Sequence, residues 1–109
     1  MDIKKMQFVE LDKKMQFLAS TYFTSLFKSE RVPTLHDSDQ EEVVAPLKVF
    51  INRMQSTFLM LNKEEQKIIN NDYFFEDYPY WWESIYSKKD YFQIKRQALI
   101  HFLRTFYEE

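Results

Sequence analysis

Two groups of residues have types and spacings that could do chemistry. The first is acidic: Asp72, Glu76, Asp77 and Glu83 fall close together around Pro79. Paired carboxylates can hydrolyse glycosidic bonds when a cleft holds them apart and burial raises one pKa. Acids flanking a proline in a turn-forming stretch more commonly form a solvated face, and a calcium loop would need a central glycine. The second group is basic. Lys88, Lys89, Lys95 and Arg96 follow Ser87 within ten residues, with Phe92 and Gln93 between them. Cations in the N-terminal half of a helix oppose its macrodipole, at a cost of a few tenths of a kcal/mol each. That placement favours a phosphate partner, although a solvated face of a terminal helix would carry the same residues. His36 and His101 have no second ligand at metal spacing.

Composition removes most alternatives. The 109 residues include no glycine and no cysteine. Phosphate-cradling loops, dinucleotide fingerprints and nucleophile elbows all need glycine where backbone meets ligand or turns sharply. Disulfides, thiolate zinc sites and thiol catalysis need cysteine. These absences, with no nucleophile–base pair, lead us to expect a non-enzymatic protein without cofactor or metal. No apolar run approaches the ~20 residues that cross a bilayer, and the start of the chain does not resemble a signal peptide, so the expected location is cytoplasmic, away from membranes. Aromatic residues make up 18% of the chain, ample for a core. The net charge of -2 is distributed in stripes. Acids dominate 37–47 and 72–87, whereas 88–104 carries five cations against Asp90.

The elements that must position these residues are helical. Phe8, Leu11, Met15, Leu18, Tyr22 and Leu26 recur at three- and four-residue steps, predicting one long helix. Lys4-Lys5-Met6-Gln7-Phe8 returns as Lys13-Lys14-Met15-Gln16-Phe17, but nine residues turn a helix by about 900°, so the copies face opposite sides. Residues 29–39, with Pro33, read as a linker. A second helix carries Leu47, Phe50, Ile51, Met54, Phe58 and Leu61; it either begins near Ala45 or bends at Pro46. Asp39 with Glu42 is one candidate capping box there, and Asn62 with Glu65 is a cleaner one that opens a third helix. Pro79 suits the first turn of a short fourth helix at about 79–86, where of the adjacent Trp81 and Trp82 one is expected in the core and the other half-exposed. Ser87 with Asp90 caps a fifth, in which Tyr91, Ile94, Ala98 and Phe102 face the core. The expected fold is all-α: about five helices, with long N-terminal helices packed on a C-terminal helix-turn-helix. A single domain spans 1–109, with the helix-turn-helix at 61–107. Exposed remainders of the apolar stripes could form a homodimer seam.

Ser87-Lys88-Lys89-Asp90-Tyr91-Phe92-Gln93-Ile94-Lys95-Arg96-Gln97-Ala98-Leu99-Ile100-His101-Phe102-Leu103 resembles the end of the C-terminal helix-turn-helix domain of sigma factors. It is more similar still to the small phage-type late-transcription regulators of the ArpU and RinA group. Their aromatic pair, Lys and Ala-Leu are matched by Tyr91-Phe92, Lys95 and Ala98-Leu99, and Leu61-Asn62-Lys63-Glu64-Glu65-Gln66-Lys67-Ile68-Ile69 resembles their scaffold helix. The sequence departs from the pattern at bulky Trp81-Trp82 and at Gln93, where a basic residue is common. The resemblance covers about 61–104. It implies binding of double-stranded promoter DNA through Ser87, Lys88, Lys89, Phe92, Gln93, Lys95 and Arg96, or contact with RNA polymerase. An interaction module that binds polymerase or another regulator through acidic and aromatic surfaces, without DNA, is the alternative.

Overall fold

The computed structural model describes residues 2–30, 37–75 and 78–108, with the backbone alone for 37–44. The chain is all-α, with no strand among the described residues. A 3-10 turn (Ile3–Lys5) leads into α1 (Phe8–Glu30), followed by α2 (Asp37–Leu59), α3 (Lys63–Ile69) and α4 (Lys88–Glu108). These four helices and the 3-10 turn come close to the expected five helices.

The apolar spacing accounts for the packing. Leu11, Met15 and Leu18 of α1 are buried, and Phe8, Tyr22 and Leu26 extend the same stripe at its half-buried ends. In α2, Ile51 and Met54 are buried, and Arg53 donates to the Phe106 carbonyl while lying 4.9 Å from the Phe106 ring. From α4, Ala98, Leu99, Phe102, Leu103 and Phe106 join one cluster with Met54, Leu61, Ile69 and Tyr73. Ile94, expected beside Ala98, is only half-buried. The spacing argument did not reveal Ile3. This residue is fully buried, and residues 2–7 form a separate segment laid against α4.

Helix boundaries follow side-chain chemistry. The Asn62 side chain accepts from the Glu65 amide at 2.8 Å, and Glu65 accepts from the Asn62 amide at 3.0 Å, completing the expected capping box. α2 begins at Asp37 and continues through Pro46, so it neither starts at Ala45 nor takes its start from Asp39. Pro46 is exposed, which leaves room for its ring on the solvent side, although a hydrogen bond is still lost. Of the expected linker, 29–30 close α1 and 37–39 open α2; residues 31–36, including His36, lie outside the described residues.

Two features differ from expectation. α3 runs directly into a π-helical turn, Asn70–Phe74. The short helix expected at 79–86 is instead a strap of overlapping turns, in which the Trp81 amide donates to the Tyr78 carbonyl, Glu83 to Tyr80 and Ile85 to Trp82. Adjacent residues on a regular helix cannot face the same neighbour. Both tryptophans do contact the body here, and both are half-buried, so neither is the single core anchor that helical geometry would permit.

Candidate nucleic-acid interface

The seven residues singled out in the sequence divide into two sets. Ser87 Oγ accepts from the Asp90 amide at 3.1 Å and caps α4, satisfying a donor the helix leaves open. Lys88, Lys89 and Gln93 are exposed in the first two turns. Phe92 is 39% exposed, with its ring edge-on to Phe8 at 5.6 Å and to Trp82 at 6.3 Å. These residues form one exposed end of the helix.

Lys95 and Arg96 do not join them. Lys95 Nζ pairs with Asp72 Oδ2 at 3.1 Å, with side chains only 12% and 9% exposed. It lies over the rings of Tyr73, Tyr91 and Phe8 at 5.2, 5.6 and 5.7 Å. The guanidinium of Arg96 donates to the Met6 carbonyl at 2.9 Å and the Lys4 carbonyl at 3.5 Å. Their expected place on an outward cationic face is therefore corrected. The physical reason was present in the sequence: Tyr91, Lys95, Ala98 and Phe102 are spaced 4, 3 and 4, so Lys95 belongs to the core stripe. A charge on that stripe is tolerated only with a partner.

That partner is Asp72, placed by the π-helical turn. Oδ1 accepts from Trp81 Nε1 at 2.8 Å, while Oδ2 accepts from the Tyr91 hydroxyl as well as from Lys95. The next residue, Tyr73, donates its hydroxyl to Asp12 of α1 at 2.6 Å. Burial, then the hydrogen bond to Asp12 and its charge, hold the Tyr73 phenol far above its ordinary pKa. Tyr91 is raised for the same reasons, with Asp72 as its principal neighbour after burial. Asp72 therefore serves as a structural acceptor bound on both oxygens. The remaining members of the acidic group divide: Glu83 is exposed, and Glu76 and Asp77 lie outside the described residues.

His101 meets Glu65 at 2.9 Å across the α3–α4 contact. No group of three or more His, Asp or Glu side chains able to hold a metal occurs among the described residues, and none of their helices is long and apolar enough to cross a membrane. A cleft of about 470 Å³ opens elsewhere, walled by Tyr22, Phe23, Met54, Phe58, Phe74 and Phe75. Spacing along the chain does not reveal it, because the π-helical turn that brings Phe74 there has no local signature. No family model matches the chain, and no curated protein or solved structure is significantly similar to it.

Proposed function

We propose that the protein is a small transcription regulator that binds double-stranded DNA through the first two turns of α4. The observation that carries this reading is the division of labour along that helix. Lys95 and Arg96 fasten it to the body, while Lys88, Lys89 and Gln93 remain exposed beyond a serine cap, with Phe92 at their edge. A recognition helix needs both a rigid attachment and an uncovered N-terminal end. The lysines would meet phosphates, and Gln93 and Phe92 would face base edges. The resemblance of 61–104 to sigma-like regulators supports the same assignment. In a gel-shift titration on a duplex, Lys88→Ala/Lys89→Ala should weaken the shift while Lys48→Ala/Lys63→Ala, which removes equal charge elsewhere, leaves it. Equal loss in both double variants would remove the reading.

The apolar cleft favours a second reading, a module that docks apolar side chains of a protein partner such as RNA polymerase. Phe23 and Phe75 on its wall are 45% and 62% exposed. Binding to purified polymerase without nucleic acid, lost on Phe23→Ser/Phe75→Ser and kept on Lys88→Ala/Lys89→Ala, would select it.

A further inference from the structure

We propose that the strap 78–86 is a latch that closes on Asp72 and opens as a unit while the helical body stays folded. Among the described residues, side-chain contacts fasten the strap to three parts of the body, the π-helical turn, α3 and α4, where Trp81 and Trp82 also meet Tyr91 and Phe92 edge-on at 6.2 and 6.3 Å. Trp81 Nε1 donates to Asp72 Oδ1 at 2.8 Å in the π-helical turn. Trp82 stacks flat on Tyr91 of α4, with ring centroids 4.3 Å apart and planes 8° from parallel. Tyr86 donates its hydroxyl to Glu64 of α3 at 2.7 Å.

The rest of the segment lies at the surface. Tyr78, Tyr80 and Ile85 are exposed, and none of its residues belongs to the buried cluster that joins the helices. Its backbone hydrogen bonds are isolated turn bonds, without the ladder of a continuous helix. Segments with few buried apolar contacts and exposed backbone bonds open at lower free energy than the core to which they are attached. The body, by contrast, keeps its own fastening when the strap leaves. Lys95 remains on Asp72 and over the Tyr73 ring, and Tyr73 remains on Asp12.

Opening would uncover the stacked face of Tyr91 and admit water to the Asp72–Lys95 pair. It would also move the residue that precedes the Ser87 cap. The latch thus couples the exposure of Tyr91 to the occupancy of one carboxylate oxygen. It does so whatever α4 binds, and it stands without the DNA reading.

Hydrogen exchange on the full chain tests the latch at the hydrogen-bonded strap amides of Trp81, Glu83, Ile85 and Tyr86, read against α4 amides from 98 to 103. The latch requires the strap amides to exchange faster than the α4 amides. Trp81→Phe, which keeps the ring packing and removes the donor, should then speed strap exchange by roughly tenfold and leave 98–103 unchanged. Asp72→Asn, which also costs Lys95 its charged partner, should speed strap exchange too, and if it does not fold, Trp81→Phe alone decides. Strap and α4 exchanging together in the wild type, a Trp81→Phe effect of equal size on both, or no effect on the strap would overturn the proposal.

Discussion

Lys95 shows how a residue's neighbours set its role. Its ammonium is held by Asp72 and ringed by Phe8, Tyr73 and Tyr91, so removing it strands a nearly buried carboxylate. Breaking one partner of such a pair costs about 3 kcal/mol or more. Lys95→Ala should therefore lower the free energy of unfolding in denaturant titration by about that amount, whereas Lys88→Ala, a surface change, should stay within about 0.5 kcal/mol. Equal effects would contradict the division of α4 into anchoring and presented cations. The tyrosines provide a pH test at the same scale. Tyr73 and Tyr91 have folded pKa values raised above the unfolded value near 10, so the native state retains protons the unfolded chain loses. The associated stability is complete below about pH 10 and falls as pH rises above it. In an alkaline titration their phenolate absorbance should appear only together with loss of helical circular dichroism. Ionisation of all seven tyrosines with helicity intact would refute this.

At the scale of elements, what could be read in the sequence depended on whether the cause was local. The α1 stripe, the Asn62–Glu65 box and the Ser87 cap were legible because capping and amphipathic spacing involve residues three or four apart. The Asn62 cap should be worth about 1 kcal/mol, measured as the destabilisation of Asn62→Ala, with little change if the reciprocal bonds are ornamental. Other features depended on distant partners. The π-helical turn exists where Asp72 must reach α4 and Tyr73 must reach α1, and the strap is irregular because Trp81 and Trp82 answer to different neighbours. Nothing adjacent in sequence encodes either requirement. The burial of Ile3 is of the same kind, since its covering helix lies at the other end of the chain.

The whole molecule measures 53 × 31 × 22 Å, with a radius of gyration of 16.0 Å. A compact domain of this length would have about 13 Å. An extended body exposes more apolar surface, including the walls of the cleft beside Phe23 and Phe75. Fold class and the exposed half of the candidate site were thus legible from periodicity and charge. In the anchoring half, Lys95 was readable from its place on the core stripe, but Arg96 was not, because an arginine looks the same in sequence whether it faces water or a carbonyl. The candidate site is small: on the proposed reading only two lysines would meet phosphates, and they would release few counterions.

The salt dependence of duplex binding by the full chain, followed by fluorescence anisotropy, tests this most directly. The slope of log affinity against log salt should be about -2, from about 0.9 per phosphate neutralised, and should fall toward zero in Lys88→Ala/Lys89→Ala. A slope unchanged by that double variant, or a wild-type chain that binds no duplex at low salt, would contradict α4 as a DNA-contacting helix.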